Sequence, residues 1–253
     1  MNFRKLSAIA AVAATVLGVS MPAQSQIVAD IMWVVDTSGS MGDDINQVKQ
    51  RIAEFDAIML GAGVDARYGL VRYGGNPVLI QDFTSYATFI AGGGPFSTLS
   101  ANGGGTEDGS LALQTALTGT YRAGSVRNLI LITDEDDDAP ANRAALNADL
   151  AATVDNELIN IIGNPGDDAG NYYRDLAPAN GGAFFNILDF RNNPAAFFTN
   201  FVQTKLREIV EDFCTRNPTD PQCVNRVPEP GTLGLLGSAM LGYALLRRRR
   251  EEV

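Results

Sequence analysis

The sequence contains no histidine. That absence removes the Ser-His-Asp and Cys-His routes of covalent hydrolysis, which need an imidazole to take the nucleophile's proton. It also removes a common zinc ligand, and the two cysteines, Cys214 and Cys223, are too few to complete a zinc site. No glycine run leads into Lys-Ser or Lys-Thr, so a phosphate-cradling P-loop is missing. Basic residues are scarce as well. The chain carries 19 basic and 29 acidic side chains. Six of the basic ones (Arg4, Lys5 and Arg247 to Arg250) and three of the acidic ones (Glu229, Glu251, Glu252) lie near the ends, leaving 13 against 26 in the body. A surface that acidic repels nucleic acid and suits cations, basic partners or plain solvation outside a cell.

What is present begins with the ends. The 253 residues suffice for one medium domain with appendages. Arg4 and Lys5 precede an apolar, Ala-rich stretch from Leu6 to Val19, and Ala23-Gln24-Ser25 supplies small residues at a cleavage position. This order reads as a secretory signal peptide over residues 1–25, too short in its apolar part for a membrane span. At the other end, Val227-Pro228-Glu229-Pro230 leads into an apolar segment from Gly231 to Leu246, followed at once by four arginines. As a helix that segment would reach about 24 Å, short of the roughly 30 Å hydrocarbon core, and the arginines would snorkel to the cytoplasmic face. The order VPEPGTLGLLGSAMLGYALLRRRR, from Val227 to Arg250, resembles the PEP-CTERM sorting tail of Gram-negative bacteria and sets a sorting segment over 228–253. That resemblance implies processing by an exosortase after transient anchoring in the inner membrane, and delivery to the cell surface or extracellular matrix. In an oxidising compartment, Cys214 and Cys223 are expected to pair within a linker over 214–227.

Between the ends, residues 26–213 alternate short apolar runs with amphipathic ones. Strands are expected over Ile27–Val35, Ala66–Tyr73, Val78–Phe83, Leu129–Ile132, Leu158–Ile162 and Ala183–Leu188. Helices are expected at Ile45 to Met59, Thr84–Ala91, Asp108–Leu117, Ala141–Val154 and Pro194–Phe213. The pattern predicts an α/β fold of three layers, Rossmann-like: a mostly parallel central sheet with one antiparallel edge strand and helices on both faces. Ligands on such sheets bind beyond the carboxyl ends of the strands, where strand order reverses.

Three segments place oxygen donors at such ends. Asp36-Thr37-Ser38-Gly39-Ser40 follows the first strand, Gly103-Gly104-Gly105-Thr106 precedes a helix, and Ile132-Thr133-Asp134 closes a later strand. Carboxylates and hydroxyls converging on one point form the donor set of a hard divalent cation. The order DTSGS, GGGT, ITD resembles the von Willebrand factor A domain and its metal-ion-dependent adhesion site. The resemblance implies that Ser38 and Ser40 coordinate the cation directly, Thr106 directly or through water, and Asp36 and Asp134 largely through water. It implies Mg²⁺, with Ca²⁺ or Mn²⁺ as alternatives, and a ligand carboxylate completing the shell.

Other acidic residues read more simply. Asp43 and Asp44 suit a helix start, as do Glu107 and Asp108. Glu135 to Asp138 read as a solvated acidic loop in preference to a second cation site. Function then points to a non-enzymatic, cation-dependent adhesion module, exported to the envelope, that captures a carboxylate on a protein or an acidic polysaccharide. The alternatives are a structural matrix protein or a metal-dependent hydrolase.

Overall fold

Ile27–Asp36 is apolar but for Asp30 and its last residue, Asp36, because it is covered on both sides, as the centre of a parallel sheet must be. In the computed structural model, which describes residues 26–153, 157–165 and 173–224, this strand is β1. A short 3-10 turn, Gly39–Met41, leads into α1, Gly42–Gly61. There follow β2 Val64–Tyr73, β3 Val78–Thr84, α2 Tyr86–Phe89, α3 Pro95–Thr98, α4 Gly109–Leu117, β4 Val126–Ile132 and α5 Pro140–Ala152. The remainder is β5 Glu157–Gly163, α6 Leu176–Ala179, β6 Phe184–Asn186, α7 Ile187–Asn192, α8 Pro194–Arg216 and α9 Pro221–Val224.

The sheet runs β3-β2-β1-β4-β5-β6. Only β3 is antiparallel, hairpinned onto β2; every other neighbour pair is parallel. Strand order therefore reverses between β1 and β4, and the carboxyl ends of both point to one rim.

Side-chain alternation along β1 builds two cores. Ile27, Ile31, Trp33 and Val35 face α1 and α8, where Ile45, Val48, Ile52, Phe55 and Met59 meet Phe198, Phe201 and Val202. The sole tryptophan, Trp33, meets Phe55 edge-on with centroids 5.4 Å apart. Met32 and Val34 face the other way, against Ala112, Leu113, Ala116 and Leu146. Cys214 and Cys223 are disulfide-bonded and fasten α9 to the end of α8. A cross-link over so short a loop contributes on the order of 2–3 kcal/mol.

Several element bounds differ from the sequence expectation: β4 starts three residues earlier, at Val126, and α8 runs on to Arg216, so that Cys214, expected in a linker, is helical. The strand expected over Ala183–Leu188 stops at Asn186, whose Oδ1 accepts from the Leu188 N–H at 2.8 Å and so starts α7. The helix expected over Thr84–Ala91 shortens to Tyr86–Phe89, with Ser85 as its cap. Residues 1–25 and 225–253, which hold the expected signal peptide and sorting tail, lie outside the described residues. Among the described residues no helix is long and apolar enough to cross a membrane.

Lys205 is fully buried in α8. Its Nζ donates to both Glu208 oxygens, at 2.9 and 2.7 Å, and to Asn160 Oδ1, and lies 4.7 Å from the Phe185 ring centroid. Burial brings its amine down to about 8, against the opposing pull of Glu208. A lysine with a lowered folded value stays protonated longer in the unfolded chain. Between about pH 8 and 10.5 the unfolded state thus binds the extra proton, and stability from this group rises with pH. Lys205→Met should lose that rise. Urea unfolding at pH 7, 8.5 and 10, followed by Trp33 fluorescence, should show the parent gaining on the variant as pH increases; parallel curves would refute it.

Candidate metal centre

At the rim where β1 and β4 end, the chain brings four of the five expected donors together. Asp36 is fully buried. Its Oδ1 accepts from the Ser38 N–H at 2.8 Å and its Oδ2 from the Thr133 hydroxyl at 2.9 Å. The Ser38 and Ser40 hydroxyl oxygens lie 3.2 Å apart. Ser40 in turn donates to Asp134 Oδ1 at 2.9 Å. Two carboxylates and two hydroxyls from sequence positions about a hundred residues apart thus form one continuous set.

The fifth, Thr106, sits on the adjoining loop and is exposed. Its carbonyl accepts from the Gly75 N–H at 2.7 Å, while its hydroxyl makes no hydrogen bond to the other four. The loop itself is tightly held. Gly103 N–H donates to Thr37 O and Gly104 N–H to Gly74 O, each at 2.7 Å. A Cβ on Gly103 would fall 2.9 Å from both of those carbonyls, so glycine is required for the approach. The loops after β1 and β2 and the glycine loop are thus stitched to one another through backbone groups.

Carboxyl groups crowd this rim. Burial raises the Asp36 carboxyl above its ordinary range, and the charge of Asp134 adds to the rise against hydrogen bonds from Ser38 and Thr133. Glu107, next to Thr106, is pushed up to about 7 by burial and then by the charges of Asp36, Glu135 and Asp134, while a hydrogen bond from Ser38 works the other way. Glu135 is raised by burial and by Asp134 and its acidic neighbours. Such mutual repulsion is what a divalent cation relieves. The donor set is oxygen only, so the residues fit a hard cation.

Three features escaped the sequence reading. Glu107 directs its carboxyl to the Ser38 and Asp36 side of the rim, although its position suggested only a helix start. In the run after Asp134, Glu135 and Asp138 are exposed, as a solvated loop would be, but Asp137 is not. Asp137 is buried, accepts from the Ser110 N–H at 3.2 Å and shares a hydrogen bond with Asp108; burial foremost pushes it up to about 6. Asp138 accepts from the Glu107 N–H at 2.7 Å. These acids clamp the loop bearing Asp134 to the start of α4. Third, Arg191 of α7 reaches the rim: its Nη2 donates to Asp134 Oδ2 at 2.7 Å and to Asp44 Oδ2 at 2.6 Å. Asp44 is buried beneath that guanidinium, so its role exceeds complementing the helix dipole.

The sequence profile of the von Willebrand factor type A domain matches residues 30–200, and that of the PEP-CTERM protein-sorting motif matches residues 226–250. Among solved structures, a von Willebrand factor type A protein from Catenulispora acidiphila is 19% identical, covering 72% of this chain and 43% of that one, with a TM-score of 0.52. An aerotolerance-related membrane protein from Bacteroides fragilis NCTC 9343 is 15% identical over 69% of this chain and 98% of that one, with a TM-score of 0.47. Proximal thread matrix protein 1 from the mussel byssus, solved with a zinc-occupied MIDAS motif, is 17% identical over 64% of this chain and 42% of that one, with a TM-score of 0.47. No protein of curated function matches the chain in sequence. At such identities the likeness to solved structures is one of fold.

Proposed function

The chain belongs to the von Willebrand factor type A family, and from that membership we propose that it is a divalent-cation-dependent binding protein of the cell envelope. Proteins of this family act mostly as non-enzymatic binding modules for protein ligands, and the PEP-CTERM motif implies export and exosortase processing. The observation that carries the metal reading is the convergence of Asp36, Ser38, Ser40 and Asp134 at the rim where strand order reverses. Ser38 and Ser40 would hold Mg²⁺ through their hydroxyl oxygens, with Thr106 joining from the neighbouring loop and Asp36 and Asp134 behind through water. A divalent cation in that seat supplies an electrophilic position for an acidic group of the ligand, on a protein or an acidic polysaccharide.

We also read residues 1–25 as a signal peptide and Gly231 to Leu246 as a short span that anchors the chain in the inner membrane until the tail is processed. The domain proper then lies outside the cytoplasm, where its acidic surface and its disulfide are at home.

The test is capture of envelope material on the immobilised protein. Capture should require Mg²⁺ and should fall at least tenfold in excess chelator. Ser38→Ala should give the same loss while shifting the melting temperature by no more than about 2 °C, because its hydroxyl bonds only other groups at the rim. Full capture in chelator would end the proposal.

A further inference from the structure

Arg191 lies 57 residues beyond Asp134 and 147 beyond Asp44, yet it joins the two. Its Nε lies 3.1 Å from each Asp44 oxygen, so the guanidinium is gripped by Asp44 on one side and touches Asp134 on the other. Asp44 is 2% exposed and belongs to the first turn of α1, while Arg191 belongs to the last turn of α7. The grip leaves Arg191 little freedom to swing away, because leaving would strand a buried carboxylate.

The consequence falls on Asp134. One of its oxygens accepts from Ser40 and the other from Arg191. A fixed positive charge therefore already sits against one of the carboxylates that would balance a divalent cation at the rim. We propose that Arg191 is a built-in counter-cation of this site, which holds its affinity for divalent metal down. The inference rests on the metal reading above. A guanidinium in hydrogen-bond contact with Asp134 repels an incoming cation and offsets part of the negative potential that would attract it. Because the pair is partly shielded, bulk salt does not screen it fully.

The test is calorimetric titration of the full chain with MgCl₂ and with MnCl₂ and no other ligand. The variants are Arg191→Gln, the double variant Asp44→Asn/Arg191→Gln, which removes the guanidinium without stranding Asp44, and Arg191→Lys. The double variant should bind either metal at least tenfold more tightly than the parent, equivalent to about 1.4 kcal/mol. Arg191→Lys, which keeps the charge, should stay within threefold of the parent. Equal affinity for parent and double variant, or weaker binding by the double variant, would overturn the counter-cation role while leaving the metal site standing. Weaker binding would make Arg191 a residue that orients Asp134. If neither parent nor variants took up metal, the metal reading itself would fall and this inference with it.

Discussion

Asp36→Asn should raise the melting temperature of the metal-free protein at pH 7 and abolish the further rise that divalent metal brings. The two effects have opposite signs because one carboxylate serves two states. Without metal, Asp36 is buried, faces the charge of Asp134, and receives hydrogen bonds from the Ser38 N–H, the Thr133 hydroxyl and the Ser38 side chain that do not offset its burial. Its folded carboxyl titrates above the ordinary range, so its ionisation at neutral pH weighs against folding. Asparagine keeps the shape. Its oxygen still accepts from Ser38, and its amide faces the Thr133 hydroxyl, which rotates to accept. The repulsion disappears with the charge.

With metal the balance reverses. A ligand present at a hundred times its dissociation constant stabilises the folded chain by about 2.7 kcal/mol. For a domain of this size that corresponds to roughly 5–11 °C. Asp36→Asn removes a charge from the ion's surroundings, and the expected loss of affinity is at least a hundredfold, enough to erase the increment. Melting curves of parent and variant, each with chelator and with 10 mM MgCl₂, read both signs in one experiment. A metal increment of equal size in the two proteins would show that Asp36 takes no part in holding the ion.

The rim was legible in the sequence because a parallel sheet gathers the carboxyl ends of its strands. Any polar residue placed directly after a buried apolar run arrives there, which is why DTSGS after β1 and TD after β4 belong to one rim on sequence grounds alone. The core helices were legible for a similar reason. Ile45, Val48, Ile52, Phe55 and Met59 repeat at helical spacing, and all five are buried. What stayed hidden lacks a local pattern. Arg191 is followed by two asparagines in Asp189-Phe190-Arg191-Asn192-Asn193 and looks like surface until α7 is placed over the start of α1. Its helix was itself obscured, since Phe184 to Leu188 has the composition of a strand and only the Asn186 cap decides otherwise. Glu107 and Asp137 lie in acidic runs, where composition predicts solvation. Their burial follows from the way the Gly103 to Glu107 segment is drawn against the loops after β1 and β2. Thr106 shows the converse: the motif marks its position, yet it is exposed, and the bond that holds it is made by its carbonyl, to the Gly75 N–H.

At the far end of the sheet from the metal centre, Asp30→Ala should destabilise the chain by about 3–5 kcal/mol, the scale of breaking a buried ion cluster by removing one partner. Asp30 interrupts the apolar run of β1 and is fully buried. Its Oδ1 accepts from Arg67 Nε at 3.0 Å and Arg122 Nε at 2.9 Å. Its Oδ2 accepts from Arg67 Nη2 at 2.9 Å, the Arg122 N–H at 2.6 Å and the Ser125 hydroxyl at 3.1 Å. Arg122 continues to Ala29 O, Asp65 O and Asp65 Oδ2, so one carboxylate fastens the α4–β4 connection to the ends of β1 and β2. Both arginines retain some contact with water, which places the expected loss nearer the lower figure. Against a typical total of 5–15 kcal/mol even that is a large share. Asp30→Asn, which keeps the volume, should lose less.

The pH dependence separates charge from packing. Burial pulls the Asp30 carboxyl upward, but hydrogen bonds and charges from Arg67 and Arg122 outweigh it, and the folded value lies below the ordinary 3.8. A depressed carboxyl contributes stability that is complete above the unfolded value and is lost as pH falls through the folded one. The gap between parent and Asp30→Asn should therefore be full at pH 6 and should narrow as the pH drops from about 4 towards 3. Urea midpoints across that range measure it. A gap that stayed constant with pH would mean that Asp30 holds the connection by shape and neutral hydrogen bonds, and that the two arginines would fold against any acceptor of the same size.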